Sequence, residues 1–481
     1  MSFSAAQLLA VLQAHVPTGA NGFVVALSGG ADSSALLAAL AQLRAPPVHG
    51  GSLAGVPLAG VPLAGVPLAG VPLAGASLAG ASQGLPIRAV HVDHGLQAAS
   101  VSFREACASL CRDLGVPLTI VAVPIEARAG VSVEAAARDA RYAALAAQLR
   151  AGECLLTAHH LEDQAETLLL QALRGAGLKG LASMPLCRPF ASGWHLRPLL
   201  SARRTDLRQF AAALGIAGML DPMNADPRYD RVYLRRELWP LIENRWPGAG
   251  LALSRTASHV AEAQHLLDAI ADADLALLRD GDALSVPRLR SLATARQVNA
   301  LRRWIFEARA LPPPAARLLE ALRQILDADA DHLPAIAWDA QALRRYRDRI
   351  FLTAATPPRL ALRHPWEILT QPRLDLDAGL GQLHCVERIG GLDRRRLPAA
   401  LLVCGREGGE ALKLGLSAST RSVQHLCQAL GVLPWMRDSL PFVYAGDELI
   451  GIGDLWLDAR WCVAGGERGL AFEWAGAPNL V

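Results

Sequence analysis

The first third of the chain alternates between short apolar runs and longer segments of helical periodicity. Strands that alternate with helices predict a parallel sheet with helices on both faces. We therefore predict a doubly wound α/β domain, which a first amphipathic helix within residues 1–15 precedes. The strand-like runs are 23–27, 87–92, 118–123 and 154–157, and the helical segments are about 100–114, 133–150 and 162–173.

The pattern changes in the second half of the chain. Leu and Ala recur at helical spacing over about 250–350, and a proline-rich break follows at Thr356–Pro358. Alternating stretches such as Glu448–Asp454 are typical of antiparallel strands. We predict a helical middle domain and a small α+β C-terminal domain, with domain ranges 1–228, 229–355 and 356–481.

Length and composition limit the class of protein. The chain has 481 residues, of which 52% are apolar, with 47 basic and 44 acidic residues and a formal charge of +3. This length points to more than one core, and the apolar fraction excludes a mainly disordered chain. The balanced charge excludes nucleic-acid binding by bulk charge alone, so such a partner would need local patches.

One apolar segment could be mistaken for a membrane span. No charged residue lies between Arg44 and Arg88, and GVPLA repeats four times from Gly55 to Ala74. The repeated proline would remove a helical hydrogen bond every five residues, which argues against a spanning helix. We predict a low-complexity insertion at about 51–82 that the chemistry does not need.

The cysteines and the start of the sequence indicate a compartment. Eight cysteines occur without a CxxC pair or a Cys/His cluster at zinc spacing, which is typical of buried thiols in a reducing cytosol. The start has no basic segment before an apolar stretch, so it does not resemble a signal peptide. We predict a cytoplasmic protein that does not bind membranes.

A glycine-rich turn follows the first predicted strand. Its sequence is Ser28-Gly-Gly-Ala-Asp-Ser-Ser34, and an Ala/Leu-rich helix comes next. The glycines let the backbone approach a phosphate, and the helix start presents unpaired N–H groups. The turn lacks the Lys-Ser/Thr of a Walker loop and the spacing of a dinucleotide fingerprint.

This turn resembles the SGGxDS loop of the PP-loop, or N-type, ATP pyrophosphatases. The resemblance implies that the loop holds the pyrophosphate part of ATP, with Ser28 and Ser33 donating to phosphate oxygens. Because Asp32 is itself anionic, the sensible role for it is to hold Mg²⁺. The predicted nucleotide-binding residues of the loop are Ser28, Gly29, Gly30, Ala31, Asp32 and Ser33.

Further motifs narrow the resemblance to the tRNA(Ile)-lysidine synthetase family. It covers nearly the whole chain apart from the insertion, and continues through Asp221-Pro-Met-Asn224 to the C-terminal region. The N-terminal motifs are His91-Val-Asp-His-Gly-Leu96, Glu134-Ala-Ala-Ala-Arg-Asp-Ala-Arg-Tyr142, Thr157-Ala-His-His-Leu-Glu-Asp-Gln-Ala-Glu-Thr167 and Leu173-Arg-Gly-Ala-Gly177.

The resemblance implies a two-step reaction on an isoleucine tRNA with a CAU anticodon. The wobble cytidine attacks ATP to form an adenylated base and pyrophosphate, and the ε-amine of L-lysine then displaces AMP to give lysidine. The implied cofactors are ATP and Mg²⁺, with His91 and Asp93 at the nucleotide. The oligomeric state stays open, with a homodimer as one option.

Two acidic residues follow the fourth strand. Asp163 and Glu166 are spaced i, i+3, so both carboxylates project from one helix face and need a cation between them. Mg²⁺ and a cationic substrate are both candidates, and the family implies lysine; a solvated helix face is the alternative. His159 lies at the mouth of the same helix, where ligands of such sheets bind, and is a further catalytic candidate.

Several arginines could stabilise phosphate charge. Arg138 and Arg141 share a helix face; their alternative role is an ion pair with Asp139 or Glu134. Arg231 and Arg235 match the family's RNxxR motif, in which Val232 replaces the usual Asn. For the latter pair, phosphate contact and a structural ion-pair cluster are equally compatible with the sequence.

A second arginine-rich segment lies in the middle region. Arg344-Arg-Tyr-Arg-Asp-Arg349 mixes arginine with an aromatic residue, which suits either base stacking or a strand edge or hairpin. The sequence favours the hairpin.

Rival functions make different demands on the sequence. A tRNA cytidine thiolase would need cysteines for sulfur or an iron–sulfur cluster. A glutamine-dependent amidotransferase would need a nucleophilic cysteine, which in an asparagine synthetase follows the initiator methionine, where this chain has Ser2. A non-catalytic tRNA-binding protein would not need the glycine loop.

Overall fold

The structure is a computed structural model. It describes residues 2–44, 85–93, 100–124, 133–219, 229–329 and 333–480. The GVPLA insertion at 51–82, His94–Leu96 and Asp221–Asn224 lie outside the described residues, as does the side chain of Glu134. The chain divides into two compact units, Met1–Ala269 and Ile270–Val481.

The first unit alternates strands and helices as predicted. Each of the four predicted strands and each predicted helix is present; the first helix begins at Ala5, and the ends predicted between residues 23 and 173 differ from the observed ones by at most two residues. In chain order the elements are α1 (Ala5–His15), β1 (Gly22–Ala26), α2 (Ala31–Arg44), β2 (Ile87–Asp93), α3 (Ser100–Asp113), β3 (Leu118–Ala122), α4 (Val133–Gln148), β4 (Glu153–Leu156), α5 (Leu161–Leu173), α6 (Leu178–Leu181), β5 (Cys187–Phe190), β6 (Gly193–Leu196), α7 (Arg204–Ala213), α8 (Asp230–Tyr233), a π-helical turn (Leu234–Leu238), α9 (Trp239–Arg245) and α10 (Ala249–Leu278), in which the division between the units falls.

These strands form one six-stranded sheet in the order β3-β2-β1-β4-β6-β5. The pairs β1–β2, β1–β4, β2–β3 and β4–β6 are parallel, and only the edge pair β5–β6 among the described strands of this sheet is antiparallel. The chain adds β2 and β3 on one side of β1 and then crosses over to add β4 on the other side, so β1 lies inside the sheet. The carboxyl ends of β1, β2, β4 and β6 therefore share one edge of the sheet, where ligands of such folds bind.

Helices cover both faces of the sheet, which explains why its strands are continuous apolar runs. Successive residues of β1 point to opposite faces: Val25 packs with Leu36 and Leu37 of α2, and Val24 packs with Leu145 of α4. The central residues of α2 are fully buried. The predicted doubly wound α/β fold is confirmed.

A partly buried ion pair joins two strands at the amino ends of the sheet's parallel strands. Arg88 Nε of β2 donates to Glu153 Oε1 of β4 at 2.9 Å, and the backbone N–H of Arg150 donates to Glu153 Oε2 at 2.8 Å. Because β1 lies between these strands, the pair spans the amino end of the central strand. Hydrogen bonding to Arg88 holds the pKa of Glu153 below its ordinary value, against the opposing effect of burial.

The second unit contains the predicted helices and antiparallel strands. A five-stranded sheet accompanies the helices of the middle region of this unit, and further antiparallel sheets follow. Its elements are β7 (Arg279–Asp280), β8 (Ala283–Ser285), α11 (Val286–Arg290), α12 (Thr294–Glu307), α13 (Ala315–Asp327), β9 (Ala335–Trp338), β10 (Gln341–Tyr346), β11 (Arg349–Ala354), β12 (His364–Trp366), β13 (Arg373–Asp375), β14 (Gln382–Ile389), β15 (Leu401–Cys404), β16 (Ala411–Leu412), β17 (Arg421–Ser422), α14 (Val423–Leu430), a 3₁₀ turn (Pro434–Ser439), β18 (Phe442–Ala445), β19 (Glu448–Ile452), β20 (Trp456–Leu457) and β21 (Arg468–Ala475).

The arginine-rich segment of the middle region is the β10–β11 hairpin. Its aromatic side chains pack within the second unit: the rings of Tyr346 and Phe351 lie 6.5 and 5.5 Å from that of Trp435. Arg344 and Arg347 stack on Trp435 and Tyr346. The hairpin interpretation is confirmed. Among the described residues, no helix is both long and apolar enough to cross a membrane.

Candidate active site

The glycine loop connects β1 to α2 in a conformation that its sequence explains. Gly29 has φ +83°, and a Cβ at this position would lie 2.8 Å from Phe103 Cδ1 of α3. Ser33, which is buried, donates its hydroxyl proton to the carbonyl of Gly30 and accepts from the backbone N–H of Ser28. The two hydroxyls of Ser28 and Ser33 are 3.0 Å apart. These bonds link the two ends of the loop.

The start of α2 presents backbone donors. The first helical bond runs from the N–H of Ser34 to the carbonyl of Gly30, at 3.1 Å. The N–H groups of Ala31, Asp32 and Ser33 come before it, so the helix offers them no carbonyl. Such a terminus is suited to an anion.

A segment after α7 packs on this loop, which the sequence did not indicate. The N–H of Met219 donates to the carbonyl of Gly29 at 3.1 Å. A Cβ on Gly218 would lie 2.5 Å from the backbone nitrogen of Ala31. Residue 218 must therefore be glycine for the two backbones to approach this closely.

A cavity of about 320 Å³ opens beside the loop, at the carboxyl ends of β1, β2 and β4. This volume falls in the range of small-molecule sites. Predicted site residues Ser28, Asp32, Ser33, His91, Asp93, Arg141 and His159 line it, whereas Gly29, Gly30, Ala31, Arg138, Asp163 and Glu166 do not, as far as the described residues show. The remaining lining residues are Ala26, Leu27, Val90, Val92, Ser100, Phe103, Tyr142, Leu145, Thr157 and Ala158.

The two lining residues of β2 have defined partners. His91 Nδ1 lies 2.9 Å from the carbonyl oxygen of Leu27, so this nitrogen donates, and Nε2 makes no hydrogen bond with a described residue. Asp93 lies 3.2 Å from Arg104 Nε. Both residues therefore reach the cavity from fixed positions.

The acid pair on α5 is neutralised by arginine. Glu166 accepts from Nε of Arg231 at 3.0 Å and from Nε of Arg235 at 2.8 Å, and Asp163 Oδ1 lies 3.1 Å from each guanidinium. Both carboxylates are buried, and the arginine side chains are about a quarter exposed. Of the two roles left open for Arg231 and Arg235, the structure shows the ion-pair cluster.

His160 connects this acid pair with the glycine loop. Its Nε2 lies 3.3 Å from Asp163 Oδ2 and 3.8 Å from Asp32 Oδ2, and its Nδ1 lies 3.0 Å from Glu162 Oε2. Burial opposes protonation of His160, but these carboxylates outweigh it and raise its pKa. Burial likewise opposes ionisation of Asp163, yet His160 and Arg231 hold the pKa of that carboxyl below its ordinary value.

Asp32 keeps one oxygen unused. Its Oδ1 is buried and makes no hydrogen bond with a described residue, although Asp32 lines the cavity. A buried carboxylate oxygen without a partner beside a cavity fits Mg²⁺, which typically takes one or two carboxylates together with substrate phosphates. No group of three or more His, Cys, Asp or Glu side chains suited to a metal occurs among the described residues.

Arg138 and Arg141 flank Tyr142 on α4. Their guanidinium carbons lie 5.4 and 5.8 Å from the ring centre of Tyr142. Arg141 lines the cavity, and burial together with the nearby Arg138 and Arg231 lowers its pKa. Neither arginine makes an ion pair with a described residue, so the alternative pairing with Asp139 does not occur.

His159 lines the cavity and is the last member of a hydrogen-bond chain that begins at His195 on β6. Its Nδ1 lies 2.8 Å from Thr157 Oγ1, which lies 2.9 Å from His195 Nε2. Sequence reasoning missed His195 and Arg197. The signal was present in Trp194-His-Leu-Arg197, where the two polar residues alternate with apolar ones, as they must to share one side of a strand.

Three family models match the chain. The model described as a PP-loop domain matches residues 3–242, the one described as a TilS substrate binding domain matches 284–351, and the one described as a TilS substrate C-terminal domain matches 401–474.

Several relatives match along most of their length. The tRNA(Ile)-lysidine synthase of Alkalilimnicola ehrlichii is 37% identical over 453 residues, which are 93% of each chain. The enzyme of the same name from Methylococcus capsulatus is 39% identical over 83% of this chain and 89% of its own. That of Pseudomonas aeruginosa is 38% identical over 92% of both.

A solved structure also matches, at a level too low to carry an argument. The U34-tRNA thiolase NcsA from Methanococcus maripaludis with its [4Fe-4S] cluster is 15% identical over 54% of this chain and 78% of its own, with a TM-score of 0.37. The family models and the relatives, by contrast, agree with each other along the chain. They show that the chain belongs to the tRNA(Ile)-lysidine synthase family.

Proposed function

We propose that this protein uses ATP to ligate L-lysine onto the wobble cytidine of the CAU anticodon of isoleucine tRNA. The family membership and the names of the relatives support the reaction. The position of His160, between Asp32 of the glycine loop and Asp163 of the acid pair, carries the proposal in the structure. This geometry supports the proposal, because the residues that we propose for phosphate and for amine binding lie at the same end of the sheet, as a two-step reaction requires.

In the first step the cytidine O2 attacks the α-phosphate of ATP, and pyrophosphate leaves. The N–H groups at the start of α2 and the hydroxyl of Ser28 hold the leaving pyrophosphate, and Arg141 faces the same cavity with its charge unpaired by described residues. Asp32 would hold Mg²⁺, which supplies positive charge at the phosphates. Fixed positive charge in a buried site is an effective stabiliser of such a transition state.

In the second step the lysine ε-amine attacks C2 of the base, and AMP leaves. Asp163 and Glu166 orient the lysine, and the arginines beside them match its α-carboxylate, so the cluster suits a zwitterion. The amine must be neutral to attack, and one of these carboxylates accepts its proton. The proposal includes a cytoplasmic location, which rests on the cysteine pattern, and it leaves the oligomeric state open, with a homodimer as one option.

The decisive assay combines purified protein, ATP, labelled lysine and an isoleucine tRNA transcript with a CAU anticodon. We expect label to enter the tRNA, together with AMP and pyrophosphate. A methionine tRNA transcript with the same anticodon is the matched control and should stay unlabelled. Turnover only with sulfide or with glutamine would contradict the proposal in favour of a thiolase or an amidotransferase.

A further inference from the structure

Four polar side chains form a line from the sixth strand to the cavity. Arg197 Nη2 lies 3.2 Å from His195 Nδ1, His195 Nε2 lies 2.9 Å from Thr157 Oγ1, and Thr157 Oγ1 lies 2.8 Å from His159 Nδ1. Arg197, His195 and Thr157 are buried, with 3%, 0% and 7% exposed surface, and His159 lines the cavity. Because these contacts are short and buried, each one needs one donor hydrogen and one acceptor. This requirement determines which nitrogen or oxygen carries each proton.

The arginine sets the direction of the first two bonds. A guanidinium only donates, so His195 Nδ1 must accept. A neutral imidazole carries one ring proton, which is therefore on Nε2 and is donated to Thr157 Oγ1. A doubly protonated His195 would direct an N–H against the N–H of Arg197. The latter cannot easily turn away, because its Nη1 donates to the carbonyl of Pro185 at 2.7 Å.

Thr157 passes this direction on to His159. Its oxygen already accepts from His195, and its own hydroxyl proton has one acceptor among the described residues, which is His159 Nδ1. If His159 Nδ1 carried the proton instead, the buried hydroxyl hydrogen would have no partner, which is unfavourable. His159 Nδ1 is thus unprotonated, and the ring proton is on Nε2.

The electrostatic surroundings keep both rings neutral. Burial lowers the pKa of His195 to about 2, and Arg197 acts in the same direction. Burial lowers the pKa of His159 to about 3, against the attraction of Asp163. Both rings are therefore uncharged near neutral pH. An uncharged ring with one defined tautomer donates a hydrogen bond from one known nitrogen.

We propose that Arg197, His195 and Thr157 are positioning residues that hold His159 as a neutral imidazole, whose Nε2–H donates to an acceptor oxygen of the nucleotide or base in the cavity. The identity of that ligand rests on the proposed function, whereas the tautomer is a property of the free protein. The donor is in place before the ligand arrives, so no reorganisation is needed when charge develops on the oxygen.

The tautomer can be measured without substrate. In full-length protein labelled with ¹⁵N-histidine, the His159 signals are assigned by their loss in His159→Gln. We expect a protonated Nε2 and a bare Nδ1 near neutral pH, and a mixture of tautomers in Thr157→Val. A wild-type ring that is protonated on Nδ1, or on both nitrogens, would overturn the proposal whatever the reaction is.

Kinetics test the consequence for catalysis. We expect Thr157→Val to lower kcat for lysine ligation by about 10–100-fold, in the range of other supporting hydrogen bonds, with little change in the KM for ATP. Thr157→Ser should restore the rate, and Thr119→Val, an exposed strand threonine, should leave it unchanged. His159→Gln, whose amide N–H reaches the position of Nε2, should retain more activity than His159→Asn.

Two results separate this proposal from the function. A folded Thr157→Val protein with wild-type kcat, or a Thr157→Ser protein as slow as Thr157→Val, would refute the positioning role. If wild-type protein does not ligate lysine, the proposed function fails, while the tautomer measurement still decides the state of His159. Thermal unfolding followed by circular dichroism shows that each variant is folded.

Discussion

Asp32 and His160 face each other at the carboxyl edge of the sheet, with 3.8 Å between Oδ2 and Nε2. The first belongs to the glycine loop and the second caps the helix that carries the acid pair. Because His160 also lies 3.3 Å from Asp163, two motifs 131 residues apart in sequence (163 minus 32) share one electrostatic cluster. A substitution in either motif should therefore change the electrostatic environment of the other motif.

Replacing Asp32 by Asn should slow adenylation strongly without unfolding the protein. The substitution removes the charge that would hold Mg²⁺ at the phosphates, and we expect the rate of pyrophosphate release to fall about 100-fold or more. Excess Mg²⁺ should recover part of it. Asp113→Asn, at an exposed position of α3, is the control. Wild-type pyrophosphate release by the Asp32 variant would contradict a role for this carboxylate.

The two loop glycines should respond differently to alanine. In Gly29→Ala the φ of +83° and the 2.8 Å approach to Phe103 both strain the loop, so stability and ATP binding should decrease together. A Cβ on Gly30 meets only Ser28 Oγ, at 3.5 Å, so Gly30→Ala should fold normally and lose affinity for ATP. Calorimetric titration with ATP, combined with thermal unfolding, separates the two effects. Equal stabilities for the two variants would show that the loop relaxes more easily than its geometry indicates.

Removing Arg235 should cost stability as well as activity. Arg235→Ala leaves the buried Glu166 with one arginine partner, and breaking a buried pair typically costs about 3–5 kcal/mol. We expect roughly 1–3 kcal/mol in urea unfolding, since Arg231 remains and Arg235 is partly exposed. The KM for lysine should also rise. Arg208→Ala, at an exposed position of α7, should change neither quantity. An unchanged unfolding midpoint in Arg235→Ala would mean that solvent replaces the guanidinium.

The ion pair between Arg88 and Glu153 should make the first unit less stable in acid. The pKa of Glu153 is below its ordinary value of 4.5, so its stabilising effect is complete above that value and disappears as the pH falls through the folded-state pKa. Near neutral pH we expect Glu153→Gln to lose about 1–3 kcal/mol of unfolding free energy.

The difference between wild type and Glu153→Gln should begin to shrink below about pH 4.5 and should vanish once the pH has fallen through the lowered folded-state pKa, because both proteins then carry a neutral side chain. Urea unfolding at several pH values measures it. Glu105→Gln, at an exposed position of α3, should show no such pH dependence. A difference that stays constant down to acid pH would exclude the charge of Glu153 as its cause.

Deleting residues 51–82 should leave lysine ligation intact. The segment lies outside the described residues, and its GVPLA repeats contain no charged or nucleophilic side chain. The measurement is the labelled-lysine assay on wild type and deletion variant side by side. A deletion variant that folds but does not ligate lysine would assign the segment a role.

The fold of the first unit could be predicted because its signals are local. A strand such as β1, buried on both faces, is a continuous apolar run, and the glycine turn after it is distinctive. The edge rule for parallel sheets then places Asp32 and Asp163 together without any knowledge of contacts.

What the sequence could not show depends on distant partners. Glu166 needs a cation, but nothing local says that Arg235, 69 residues later, supplies it. His195 alternates with apolar residues on the short strand β6, but nothing in that pattern says that Thr157, 38 residues earlier, is its partner. Gly218 is required only because the backbone of Ala31 lies close to it, and the sequence alone does not show this contact.

The contact of Tyr346 and Phe351 with Trp435 bears on how this chain can be dissected. The proline-rich break at residues 356–358 resembles a domain boundary at which the chain could be truncated. However, Phe351 on one side of it and Leu433 and Met436 on the other belong to one buried cluster. A fragment that stops at residue 355 would expose an aromatic surface to water and invite self-association. The middle and C-terminal segments are therefore best expressed and studied as a single piece.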